Sequence, residues 1–161
     1  MNKVLAVLMS IALTIIQLTI TPMFKIGWLN YNFALVSIVI VCLLCGGKTG
    51  IVNAIVVAVI YDVFASKVLG TFVVLYLLIA LLVELIAKHM FNCNAYIAVI
   101  FVFTSTLITE VLIYCGFYAF NGMVYNAFAL SKIIFPQCLI NSVVCLIVFW
   151  FYKSVIRLKR E

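Results

Sequence analysis

Two carboxylates, Asp62 and Glu110, stand inside long apolar runs, and they are the residues of this chain best placed to do chemistry. Two acids at a similar level of an apolar layer can share a proton, bind a cation, or separately accept from hydroxyls. Thr106 and Tyr114 flank Glu110 at i−4 and i+4 and offer such hydroxyls. A carboxylate near the centre of a membrane helix costs roughly 2.5–3.5 kcal/mol on insertion scales, so each acid is expected to face protein or water and not lipid. A proton or ion relay also needs a path of ionisable groups with basic partners in the same layer. No Lys, Arg or His falls at that level, which favours packing elements first and partner contacts second. Glu84 differs, because Lys88 follows it by four residues and an i,i+4 ion pair accounts for it.

Cysteine and histidine add little. Cys42, Cys45, Cys115, Cys138 and Cys145 lie in or at the ends of apolar segments, where Cys acts as a small hydrophobe. Cys42-Leu-Leu-Cys45 has CxxC form but no second pair or His nearby, and His89 with Cys93 is too few for a metal site. No nucleophile–base pair, phosphate loop or carboxylate cluster for Mg²⁺ is present, so neither enzyme activity nor a cofactor is expected.

The elements that must position these groups follow from composition. The chain is 69% hydrophobic and 9% charged, with a mean hydropathy of +1.40, which a water-soluble domain does not carry. Apolar runs over about 4–21, 28–45, 50–66, 71–87, 95–114 and 133–152 predict an all-α integral membrane protein, a bundle of six transmembrane helices in one domain. Lys3 before an apolar run imitates a signal peptide, but Thr21-Pro22-Met23-Phe24-Lys25 offers no small-x-small cleavage site, and the segment is expected to stay. Its polar residues Ser10, Thr14, Gln17 and Thr21 share one face, as in a helix turned toward a bundle. The one long connection, about 115–132, is rich in aromatics.

Charge orients the bundle. Placing both termini in the cytoplasm puts Lys3, Lys48, Lys88 and the basic tail over 153–161 (Lys153, Arg157, Lys159, Arg160) inside, and only Lys25, Lys67 and Lys132 outside. Trp28 then anchors the outer interface, and Trp150, Phe151 and Tyr152 the inner one. The tail is drawn to anionic membrane lipids by generic attraction, so it is not read as a nucleic-acid site. At 1.5 Å per residue, Asp62 lies roughly 18–20 Å and Glu110 roughly 22–24 Å from the cytoplasmic ends of their helices, both in the outer half. In the last helix Pro136 is expected in the first turn, with Gln137 and Asn141 four apart on one face as register markers between helices.

The third apolar segment holds the most specific pattern: Gly50, Ala54, Ala58 and Asp62 recur every fourth position, after the turn Gly46-Gly47-Lys48-Thr49 and before Gly70. Small residues at this spacing let two backbones approach closely. This run, from Phe33 to about Lys88, resembles the MreD family of bacterial rod-shape-determining membrane proteins. That family shows a short basic or Gly-containing turn, Gly-x3-Gly-x3-Gly-x3-Asp, and a Gly eight residues beyond the Asp. Thr109-Glu110 with Tyr114 is similar to its fifth-helix element, and Asn141 to an Asn of its last helix. Two stripe glycines are alanines here, and the proline that often opens the family's second helix is missing.

The resemblance implies a non-enzymatic scaffold of the bacterial cytoplasmic membrane that takes part in cell-wall elongation. MreC would be its direct partner, with MreB, the RodA glycosyltransferase and a penicillin-binding transpeptidase reached through it. The stripe would meet either a neighbouring helix of the same bundle, the favoured reading, or MreC. A second class resembles the chain less closely: substrate-binding subunits of energy-coupling-factor vitamin transporters, which dock through an Ala-x3-Ala face that Ala54 and Ala58 would supply.

Overall fold

The computed structural model describes residues 3–20, 31–65, 69–89, 94–121 and 127–157. Six helices follow one another: α1 (Lys3–Ile20), α2 (Phe33–Cys45), α3 (Gly47–Ala65), α4 (Thr71–Ala87), α5 (Ala95–Asn121) and α6 (Ala127–Arg157). No strand occurs among the described residues. Gly47–Ala65, Ala95–Gly116 and Ser131–Val155 are long and apolar enough to cross a membrane, while Lys3–Thr19, Phe33–Cys45 and Thr71–Ala87 are apolar but shorter.

Helix α2 is the axis of the molecule. It packs against each of the other five helices, and every residue from Ala34 to Cys42 is buried. Its 13 residues make a rod of about 20 Å, well short of a hydrocarbon core of about 30 Å. The expected second segment started at residue 28, whereas the helix starts at Phe33 behind an Asn32 cap. Residues 21–30, with Thr21, Pro22, Lys25 and Trp28, lie outside the described residues.

The turn into α3 depends on glycine. Gly46 (φ +69°, ψ 163°) and Gly47 (φ +27°) adopt backbone angles that a Cβ disfavours, so α2 and α3 are joined through a single non-helical residue. Four positions into α3, Gly50 meets α2: a Cβ built there would lie 2.6 Å from Cys42 Sγ and 2.9 Å from Cys42 Cα. Ala54 and Ala58 continue this face and are wholly buried. The four-residue stripe thus lies against the chain's own helices and opens, at Gly50, on a close backbone approach to α2.

The distribution of polarity is the reverse of a water-soluble bundle. Ser10, Thr14, Gln17, Ser37, Asn53, Asp62, Thr106 and Asn141 are buried, while Phe64, Leu85, Ile147 and Trp150 face outward, each more than half exposed. Buried hydroxyls solve their bonding locally: Ser10, Thr14, Thr106, Thr109 and Ser142 each donate to the carbonyl four residues earlier.

Three expectations are corrected. The aromatic-rich connection drawn over 115–132 is mostly helix, since α5 runs to Asn121 and α6 begins at Ala127. Pro136 is consequently the tenth residue of α6 and not in its first turn; it is an interior proline with no N–H for the helix ladder. Tyr152 is not an interfacial anchor: it is wholly buried, with its hydroxyl 2.9 Å from Ser10 Oγ and within 3.4 Å of the Ala6 carbonyl. Trp150 and Phe151 remain outward, at 67% and 56% exposure.

The Gly50 contact makes a sharp prediction. Gly50→Ala drives a methyl into Cys42 backbone and should destabilise the fold by about 1–3 kcal/mol, the usual range for overpacking. Ala58→Gly, which removes a methyl from the same stripe, should cost about 1 kcal/mol. Thermal unfolding in mild detergent checks the order, and a Gly50→Ala midpoint at or above wild type would refute the close approach.

Candidate functional site

The start of α2 lies inside the bundle, so its first N–H groups cannot turn to water and need partners within the protein. Three are satisfied by side chains from three directions. Asn32 Oδ1 accepts from Leu35 N–H at 3.0 Å, Gln17 Oε1 of α1 accepts from Ala34 N–H at 2.9 Å, and Asn141 Oδ1 of α6 accepts from Asn32 N–H at 2.9 Å. The capping amides are held in turn. Tyr76 of α4 places its hydroxyl 2.9 Å from Asn32 Nδ2 and 3.0 Å from Oδ1. Gln17 Nε2 donates to the Tyr61 hydroxyl of α3 at 3.3 Å, and Asn141 Nδ2 to Thr106 Oγ1 of α5 at 3.4 Å. All five surrounding helices therefore contribute one polar side chain to the end of the sixth.

The acid of the stripe performs a second cap. Asp62, near the end of α3, accepts from the N–H of Gly70 and, at 3.3 Å, from that of Phe72, which are the cap and second residues of α4. Gly70 has φ +98°, so its position in the motif has a backbone reason as well as a bonding one. A carboxylate at a helix N-terminus satisfies orphan donors and meets the positive end of the helix dipole. Beside it, Tyr61, Phe72 and Tyr76 form a triangle of ring contacts with centroids 4.7–5.7 Å apart, which ties the Asp62 cap to the α2 junction.

The other end of the same antiparallel pair carries an acid as well. Glu84 of α4 lies against Gly47, the first residue of α3, where a Cβ would stand 3.0 Å from its Oε1. It also pairs with Lys88 at 3.3 Å, as the i,i+4 spacing suggested.

Between α5 and α6, Gln137 Nε2 donates to Glu110 Oε1 at 2.7 Å, one turn from the Asn141–Thr106 bond. Both rungs belong to one antiparallel register, and the next two rungs of that register, Val102/Cys145 and Ala98/Phe149, are buried apolar pairs. Gln137 and Asn141 thus mark register across helices. Glu110 finds its partner on α6, while the Thr106 hydroxyl flanking it turns to the Val102 carbonyl and to Asn141; Tyr114 lies half-buried one turn further along α5. The two acids consequently bond to different groups: backbone amides of α4 for Asp62, an amide side chain of α6 for Glu110.

Of the basic tail, Lys153 is exposed on α6, Arg157 ends that helix, and Lys159 and Arg160 lie outside the described residues, as do Lys67 and Cys93. Among the described residues no three His, Cys, Asp or Glu side chains gather in a metal-binding group. Sequence reasoning missed Asn32, Tyr61 and Tyr76. An Asn directly before an apolar helical run is a cap signal, and a phenol within a Leu-rich helix needs a partner, so both signals were present. Asn53 is another case: it is wholly buried, and neither atom of its amide has a hydrogen-bond partner among the described residues.

Comparison with family models, curated proteins and solved structures finds no match for this chain.

These contacts set an order of mutational cost. Gln17→Leu leaves the Ala34 amide without its acceptor and should cost about 1–3 kcal/mol. Asp62→Leu removes the acceptor of two amides and should cost at least as much, with Asp62→Asn in between because one carbonyl oxygen remains. Asn53→Leu should be neutral or stabilising, since an unpartnered buried amide is replaced by an apolar group of similar size. Detergent melts of the four variants check this; destabilisation by Asn53→Leu equal to that by Gln17→Leu would contradict it.

Proposed function

We propose that this chain is a multi-pass scaffold of the bacterial cytoplasmic membrane, similar in role to MreD, that holds MreC and through it the cell-wall elongation machinery. One observation carries the reading. The five positions on which the resemblance rests most, Gly50, Ala54, Ala58, Asp62 and Gly70, line one helix and its junction: a close approach to α2, two buried alanines, a capping acid and the glycine it caps. A motif that ties α3 to both α2 and α4 is what a scaffold requires. The polar groups within the bundle are mostly spent on one another, which suits a fixed frame better than a transport path.

In this reading all six helices belong to the membrane and both termini lie in the cytoplasm. The clustering of lysines supports that orientation. Lys3 and Lys48 border one groove, Glu84 joins Lys88 to the start of α3, and Tyr152 of α6 reaches Ser10 of α1, so Lys3, Lys48, Lys88 and Lys153 gather at one end of the bundle. The transporter reading loses its docking face, because Ala54 and Ala58 are wholly covered by the chain's own helices.

Expressed with a tag in a rod-shaped host lacking its own copy of this gene, the chain should co-purify with MreC and restore rod shape. Ala54→Leu and Asp62→Leu should lower its accumulation and lose rescue together. Normal accumulation of both variants with full rescue would remove the stripe from the account, and a vitamin retained through purification in place of MreC would overturn the scaffold.

A further inference from the structure

A groove of about 360 Å³ opens at the lysine-bearing end of the bundle, between the first turns of α1 and α3. Its mouth carries Lys3, Lys48 and Thr49, and its walls are Val4, Leu8 and Val52. Both lysines are exposed, and among the described residues neither makes an ion pair; Glu84, the nearest helix acid to this end of α3, is engaged by Lys88. The apolar walls start at Val4 beside Lys3 and reach one helical turn, about 6 Å, further in: Leu8 follows Val4, and Val52 follows Lys48, at i+4. Val4, Leu8 and Val52 are each more than half exposed, so the chain's own side chains leave this surface uncovered.

Two cations and a hydroxyl over an uncovered aliphatic channel match one occupant in charge and in polarity. We infer that this groove is a binding site for one anionic phospholipid, with its headgroup phosphate between Lys3 and Lys48 beside the Thr49 hydroxyl and the first part of an acyl chain along Val4, Leu8 and Val52. A soluble anion would use the mouth and leave the walls bare. A zwitterionic lipid would use the walls but bring its own cation to the lysines. The inference rests on the reading that the chain resides in a membrane.

The site is testable on the full chain purified in detergent, with bound lipid counted by native mass spectrometry after exchange into phosphatidylglycerol or phosphatidylcholine. Wild type should retain one phosphatidylglycerol in preference to phosphatidylcholine. Lys3→Gln with Lys48→Gln should weaken retention about 30-fold, taking about 1 kcal/mol for each lysine near a lipid headgroup. Val52→Trp, which fills the channel and leaves every charge in place, should also lose the lipid, whereas Lys153→Gln, a charge of the same end outside the groove, should keep it. Equal loss with Lys153→Gln, or full retention by Val52→Trp, would reduce the effect to general surface attraction and overturn the site. Displacement of the lipid by millimolar inorganic phosphate would assign the mouth to a soluble anion instead. Carbonate extraction of cell membranes separates the two failures, since a chain released by it fails the membrane reading itself, and a chain that stays embedded without retaining lipid fails only the groove.

Discussion

Everything in this fold answers to the placement of one helix end. Helix α2 is 13 residues long, and from Ala34 onward its first turn is buried among the other helices. An amide left without a partner in an apolar interior costs from about 1 to several kcal/mol, and several of them would expel the helix. The sequence meets this with Asn32 locally and with Gln17 and Asn141 from remote helices, each held by a hydroxyl from yet another helix. Such amide bonds between helices stabilise only modestly in an apolar solvent, about 0.6 kcal/mol on average, so their value is chiefly geometric. They fix where five helices stand relative to one.

The α3–α4 pair meets the same constraint with a carboxylate, since Asp62 of α3 accepts from two amides at the start of α4. At the other end Glu84 of α4 lies beside Gly47 and pairs with Lys88. The small-residue stripe lies on the same helix because α3 must approach α2 closely while holding α4 in register. An acid in an apolar segment, read alone, suggests ion chemistry; bound by two backbone amides, Asp62 is a constructional element.

The lengths of the apolar runs revealed the helical segments, and the positions of small and polar residues revealed which faces turn inward: the stripe, the Ser10–Gln17 face of α1, and the pair Gln137 and Asn141. These signals are local, repeating every turn, and burial selects them directly. What sequence did not disclose was where apolar runs stop being the helix boundary. Residues 28–32 and 115–132 contain enough apolar and aromatic residues to blur the ends, so composition makes α2 too long and α5 and α6 too short. Pro136 then took on a terminal role that it does not have, and Tyr152 was grouped with its outward neighbours although it sits on the opposite face of α6 from Trp150. The partners of Asp62 and Gln17 were hidden for another reason, since backbone amides have no letter in a sequence.

The bond between Asn32 and Asn141 spans 109 residues, and it sets an order on biosynthesis. As the chain emerges, α1 can meet α2 at once through Gln17, and α3 and α4 can close their hairpin. The backbone amide of Asn32, however, has no acceptor until residue 141 has been made, with α5 already laid down beside it. The central helix is therefore made before α3, α4 and α5 yet secured only after them. A chain halted before α6 would keep this end of its core open, a form that quality-control proteases can recognise.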